Sequence, residues 1–195
     1  RRVLFRSVLP KVLEPNQCGF DNGKLRISAG AGDNASGAIG VGATVGDLII
    51  SLGTSGTAFA VSSTPTHDKS GEIAGFADAS GNFLPLACTL NAAKVFNATA
   101  ELLGLTFEKY SELALQTKPG AGGLLFMPHF DGERTPDRPD AKGSIQGITH
   151  SNFTPSNIAR ASIEGVIAGI AFAGFGLEKL GVVQNRILLI GGAAK

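Results

Sequence analysis

Two cysteines in 195 residues, Cys18 and Cys88, are too few for a disulfide scaffold and lack metal-knuckle spacing. They read as buried, reduced thiols of a cytosolic protein. Three scattered histidines, His67, His129 and His150, make no metal site by spacing. Seventeen Lys and Arg against sixteen Asp and Glu leave a net charge of +1, so nothing electrostatic argues for a nucleic-acid partner. No apolar run reaches the roughly 18 residues of a membrane span. The nearest, 163–177, is short and carries Glu164 inside it. No Walker loop and no GxGxxG is present. There is also no internal repeat and no low-complexity tract.

Glycine is what the chain has in quantity: 27 residues without a collagen period. That points to many tight turns and close backbone approaches. With 43% hydrophobic and 17% charged residues, a sizeable core is expected, in one large domain or one domain plus part of another. The sequence opens without methionine on RRVLFRS, which resembles the translation of a DNA-sequencing adapter, and closes on LLIGGAAK, directly after a strand-like run. Residues 1–7 are therefore expected to be a non-native tail, and the chain an internal fragment of a longer gene.

A strand is expected at 25–30, then a small-residue helix at 34–43. Residues 47–53 and 57–62 read as a hairpin broken at TSG, and EIAGFADASGNFLPLAC as a second one turning at Ser80-Gly81-Asn82. Leu90, Ala93, Phe96, Ala100 and Leu103 share one helical face, so 89–103 reads as a helix stopped by Gly104. A second short helix is expected at 107–117, a buried strand at 123–130 and a polar loop at 131–144. Thr154-Pro155 pairs an N-cap with proline at the first helical position, starting a helix that runs to Leu180 and stops at Gly181. A last strand covers 186–192. Hairpins followed by alternating helices and strands predict an α/β domain with a mixed sheet.

Three glycine-rich turns each follow an expected strand: GAGDNA (30–35), LGTSG (52–56) and IGGAAK (190–195). Such turns expose backbone N–H groups, which favour phosphate, although most are structural. Asp33 stands out among the glycines. As a turn residue or helix cap it would be ordinary. As the carboxylate that takes a hydroxyl proton during phosphoryl transfer it would need such small neighbours. Asn34 can hydrogen-bond a sugar hydroxyl, and Thr54 and Ser55 can reach phosphate oxygens. Gly191 and Gly192 would let a nucleotide lie against backbone.

Together these segments resemble the FGGY carbohydrate kinases and, within them, the xylulokinases. AGAGDNASGAIGVG is similar to the segment holding that family's catalytic Asp, and ISLGTSGTAFAV to its second phosphate loop. FMPHFDGERTPDRPDAKGSIQGITH is similar to the stretch with a Gly-Glu-Arg-Thr-Pro core. The C-terminal signature matches as Gly143-x-Ile145-x-Gly147-Ile148 and, eight residues on, Asn157-Ile158-x-x-Ala161-Ser162-Ile163-Glu164. LLIGGAAK resembles the adenosine motif, cut short. The likeness covers nearly everything from Val8 to Lys195.

The resemblance implies an actin-like, ribonuclease-H-like ATPase fold of two domains with the site between them. It implies ATP and Mg²⁺ as cofactors and a small sugar as acceptor, best guess D-xylulose, in a cytoplasmic enzyme that is a homodimer at full length. Asp33 would be the general base, and Asp33 and Asn34 would contact the sugar. Gly53, Thr54 and Ser55 would face the nucleotide phosphates, and Gly191, Gly192 and Ala193 the adenosine. Residues 8–45 would end the first domain and 46–195 would hold most of the second. The family's first phosphate loop, its first-domain sugar contacts and the helix after Lys195 are absent, and the stretch from Pro15 to Leu25 is shorter than in most relatives. Kinase activity is therefore not expected of this chain alone, and uncovered apolar surface is.

Blander readings stand beside these. Glu133, Arg134 and Thr135 read as structural or cleft-edge residues, and His129 as a strand-end residue. Glu164 needs a partner if buried, and Arg160 one turn earlier supplies it. Gly165, Gly169, Ala173 and Gly176 read as a close-packing stripe against the sheet. Within the class, the alternatives are kinases of gluconate, ribulose, fuculose or glycerol. Outside it, one is a non-catalytic actin-like nucleotide-binding module. Another is an acyltransferase using Cys88, which would need an activating histidine.

Overall fold

The computed structural model describes residues 10–194. The expected adapter tail at 1–7 and Lys195 of the last glycine turn lie outside the described residues. The first elements form a two-stranded antiparallel ribbon, β1 (Cys18–Asp21) and β2 (Arg26–Ser28). Its turn is closed by side chains: Asp21 accepts from the Gly23 N–H, and Asn22 from the Lys24 and Leu25 N–H groups. The strand expected at 25–30 is thus shorter. β1 was not anticipated, because an exposed ribbon leaves no alternating apolar pattern.

Helix α1 (Asp33–Gly40) begins one residue earlier and ends three earlier than expected. Gly42 takes a left-handed conformation (φ 64), and the Ala43 N–H returns to the Ala38 carbonyl at 2.9 Å, which closes the helix. The sheet follows: β3 (Asp47–Leu52), β4 (Gly56–Ala60), β5 (Ile73–Ala77), β6 (Phe83–Thr89) and, much later in sequence, β9 (Arg186–Ile190). The spatial order is β5-β6-β4-β3-β9, antiparallel throughout except that β9 runs parallel to β3. This is the mixed sheet the hairpin pattern predicts.

Both faces of the central strands are covered, so β3 reads as a continuous apolar run rather than an alternation. One face packs Ile49, Phe59, Val61, Leu84 and Leu86 against Ala35 and Ala38 of α1. The other carries α2 (Ala93–Leu102), α3 (Phe107–Leu115) and α4 (Pro155–Lys179). That larger core includes Leu48, Ala60, Val95, Phe96, Tyr110, Val166, Ile170 and Leu177. α2 starts four residues later than the periodicity suggests, because β6 runs to Thr89. Gly104 follows it with φ 66, in the role expected of it.

α4 starts as read: the Thr154 side chain accepts from the Asn157 N–H at 3.2 Å, and Pro155 is the first helical residue. It is long and apolar enough to cross a membrane by composition. Here it lies against α2, α3, β4 and β6 as a core helix.

The apolar stretch at 123–130 is not a buried strand. Only β7 (Leu125–Met127) forms, paired with β8 (Ser144–Gln146), and Leu125 is 67% exposed. This ribbon lies on α4, where a side chain at Gly165 would overlap the Phe126 carbonyl. The small-residue stripe therefore packs on β7 at Gly165 and near Ile73 of β5 at Gly176, while Gly169 meets nothing. Along β9, Ile187 and Leu189 with Ile167 and Phe175 of α4 line an exposed apolar groove.

Candidate functional site

The site is organised by the parallel pair β3 and β9. Their register is anchored where both begin, with Asp47 opposite Arg186. The Arg186 guanidinium donates to both Asp47 carboxylate oxygens, at 2.9 and 2.6 Å. The Thr44 N–H and hydroxyl add to the same carboxylate. These donors, Arg186 first, hold the Asp47 carboxyl well below the usual carboxylate range. With that end fixed, Ile190 pairs with Ser51, and the backbone beyond it meets the end of β3. Gly191 sits there at φ 104, and any Cβ on it would overlap the backbone of Leu52. Only glycine suits that position. Gly192–Ala194 form a short 3₁₀ turn that contacts β3, and Ala193 packs on the larger core.

Residues 53–55 join β3 to β4, with Leu52 opposite Gly56. The Gly53 N–H donates to the Ser55 carbonyl at 3.1 Å. The Gly53 and Thr54 carbonyls point the other way, toward the start of α2. They accept from the Ala93 N–H at 2.9 Å and from the Ala92 and Lys94 N–H groups at 3.3 and 3.4 Å. A trans peptide holds its N–H opposite its C=O. Carbonyls turned toward α2 therefore aim the Thr54 and Ser55 N–H groups away from it. Neither N–H and neither hydroxyl has a hydrogen-bond partner among the described residues, and both side chains are exposed. The turn thus offers donors on one side, as a phosphate needs.

Asp33 is the first residue of α1, not the end of a strand. Gly37 in the middle of α1 lies 3.7 Å from Ile190 Cδ1 for a Cβ built on it, and α1 then leads down to Asp47 at the start of β3. Asp33 stands one turn before Gly37, at the start of this helix. It is exposed, and its Oδ1 accepts from the Asn34 N–H at 2.8 Å. Its Oδ2 has no partner among the described residues. A carboxylate at a helix N-terminus is electrostatically favourable. Asn34 is half-buried beside it.

So the strand ends bring the turn at 53–55 beside that at 191–194, while α1 packs on the sheet with Gly37 near Ile190. No group of three or more His, Cys, Asp or Glu that could hold a metal occurs among the described residues. Asp33, at the start of α1, is an exposed carboxylate with a free Oδ2. That suits a Mg²⁺ ion bound mainly by phosphate oxygens and water rather than by a protein cage. The outward donors of Thr54 and Ser55 suit a phosphate group.

Other expected contacts fall elsewhere. Arg160 and Glu164 pair at 2.6 Å, half-buried, and Glu164 also accepts from the Gly120 N–H. The pair ties α4 to the loop before β7. Cys18 and Cys88 are free and partly exposed rather than fully buried. The Cys88 thiol reaches the Thr89 carbonyl at 3.6 Å, and it has no histidine among its hydrogen-bond partners. The sequence reading missed how Glu133 is used. It is 4% exposed and bonded to residues 90 and 91, over 40 positions away, so no local pattern could signal it.

Residues 48–195 match the family described as FGGY family of carbohydrate kinases, C-terminal domain. Among curated proteins, the chain is 38% identical to a xylulose kinase of Streptomyces coelicolor, with 100% of this chain aligned to 41% of that protein. Among solved structures, xylulose kinase from Bifidobacterium adolescentis superposes with a TM-score of 0.85 at 42% identity, over 96% of this chain and 39% of the other. Gluconate kinase from Lactobacillus acidophilus superposes with a TM-score of 0.82 at 26% identity, over 94% of this chain and 40% of the other. The chain thus spans about two-fifths of the length of the curated relatives it matches.

Proposed function

This chain belongs to the FGGY family of carbohydrate kinases, and from that premise we propose that it is part of a longer enzyme that phosphorylates a sugar hydroxyl from ATP. D-xylulose, giving D-xylulose 5-phosphate, is the first acceptor. Gluconate is the second, because a gluconate kinase is among the similar structures. The observation that carries the reading is the meeting of the two strand-end turns, with the Thr54 and Ser55 donors unbonded beside Gly191; the reading sets Asp33, at the start of α1, across from them.

In this reading Asp33 is the general base and takes the acceptor hydroxyl proton on its free Oδ2. The Asn34 N–H on Oδ1 fixes the carboxylate's orientation. Asn34 itself contacts the sugar. The loose transition state of phosphoryl transfer makes that orientation matter more than basicity. Gly53, Thr54 and Ser55 face the phosphates, through the outward N–H and hydroxyl donors of Thr54 and Ser55, and Gly191, Gly192 and Ala193 lie along the nucleoside. Mg²⁺, when bound, neutralises charge on the transferring phosphoryl group. Residues 8–45 close a first domain and 46–195 form the larger part of a second, in a cytoplasmic homodimer. The 195-residue chain by itself is inactive, since half the cleft is lacking.

The test is to extend the gene in its source DNA to the length of its relatives, express it, and assay ATP consumption on a sugar panel. D-xylulose-dependent turnover that Asp33→Asn removes supports the proposal. Turnover with no sugar on the panel would sink it.

A further inference from the structure

We propose that Glu133 is a positioning residue for the phosphate-facing turn at 53–55; this rests on the kinase reading above. Glu133 lies in the loop between β7 and β8, where its backbone N–H and C=O pair with those of Arg138 at 2.9 Å each. Its side chain is buried. Oε1 accepts from the Leu90 N–H at 2.5 Å and the Arg134 N–H at 2.8 Å, and Oε2 accepts from Asn91 Nδ2 at 2.8 Å. Asn91, 2% exposed, also donates to the Gly132 carbonyl at 2.8 Å. Among the described residues no lysine, arginine or histidine pairs with this carboxylate. A buried charge without a counter-ion is costly. Here it is met by amide donors and by the positive end of α2.

Residues 90 and 91, which Glu133 holds, lead directly into the first turn of α2. The next three N–H groups, of Ala92, Ala93 and Lys94, are those that hold the Thr54 and Gly53 carbonyls. The backbone of residues 90–94 therefore joins two sets of hydrogen bonds, one to the Glu133 carboxylate and one to the peptide planes at 53–55. Those planes set where the Thr54 and Ser55 N–H groups point. Glu133 touches no substrate in this arrangement and acts through the turn. Glutamine at 133 would set an amide N–H₂ against Asn91 Nδ2. Asn91 cannot answer by flipping, because its Nδ2 is also bound to the Gly132 carbonyl.

The first experiment is steady-state kinetics on the protein at its relatives' length, as wild type, Glu133→Gln and Glu133→Asp. The expected result for Glu133→Gln is a KM for Mg·ATP raised about tenfold, the loss of roughly one charge-assisted hydrogen bond. The sugar KM stays within about twofold, and Glu133→Asp, which keeps the charge, recovers part of the loss. A nucleotide KM unchanged in folded Glu133→Gln, with only the active fraction reduced, overturns the proposal. Should Glu133→Gln not fold, Glu133→Asp is held to the same split. Hydrogen exchange on the 195-residue chain reads the inference without any kinase activity. Amides of residues 90 and 92–94 should exchange about tenfold faster in Glu133→Gln, with those of the β5–β6 hairpin unchanged. Unchanged protection at 92–94 overturns it. An inactive wild type with the exchange result intact would fault the kinase reading alone.

Discussion

The sheet has two glycine- and serine-containing hairpin turns that look alike in sequence and differ in how they use their polar groups. The turn at 78–82 closes on itself. Asp78 accepts from the Ser80 N–H, the Ser80 hydroxyl and the Asn82 N–H, and Asn82 Nδ2 donates back to Ser80. The turn at 53–55 gives the Gly53 and Thr54 carbonyls to α2 and keeps the N–H groups and hydroxyls of Thr54 and Ser55 unbonded. One turn spends its side-chain donors and the Ser80 and Asn82 N–H groups on its own members; the other is held from behind with the Thr54 and Ser55 donors outward. A glycine-rich turn becomes a candidate ligand site through the second arrangement, and composition alone does not separate the two.

The largest expected effect tests what the open turn faces. In the protein at full length, Asp33→Asn should lower kcat by about 10²–10⁴-fold, the range for a lost general base, with nucleotide KM little changed. A rate assay checks this, and near-normal turnover would remove Asp33 from the chemistry.

Gly191→Ala comes next. Its φ of 104 and its contact with the Leu52 backbone leave no room for Cβ, so we expect a loss of more than about 1 kcal/mol in denaturant melts. Nucleotide KM should rise with it, because the two strand ends part.

The third prediction sets the turns against each other. Thr54→Ala with Ser55→Ala should raise nucleotide KM about tenfold and change stability by under about 0.5 kcal/mol. Asp78→Ala should cost about 1–3 kcal/mol and leave nucleotide KM alone. The reverse pattern would erase the distinction.

The smallest effect is a pH response confined to the closed turn. Burial alone would raise the Asp78 pKa. The Ser80 hydroxyl, then the Ser80 and Asn82 N–H groups, outweigh it and hold the pKa below its ordinary value. The ionised carboxylate's contribution is therefore full above the unfolded value of 3.8 and is lost as pH falls through the lower folded value. Amide protection in 78–82 should drop in acid, and Asp78→Asn should abolish that dependence.

Much of the fold was legible because its signals are local. Thr154, Pro155 and Gly181 bracket α4 within a residue or two, and Gly104 ends α2 through its own backbone freedom. The two short ribbons were misread because exposed strands carry no burial pattern, and because apolar composition at 123–130 is not burial. Asp33, Thr54 and Gly191 were legible as motifs. What holds them was not: Asp47 and Arg186 are 139 residues apart, and Glu133 reaches back 43 to Leu90. Those pairings exist only once the chain is folded.

The most direct measurement is hydrogen exchange on the protein at its relatives' length, with and without Mg·ATP, resolved at the two hairpin turns. New protection is expected at 54–56 and around 191–193, and none at 79–82. Protection at 79–82, or none at 54–56 with nucleotide bound, would contradict it.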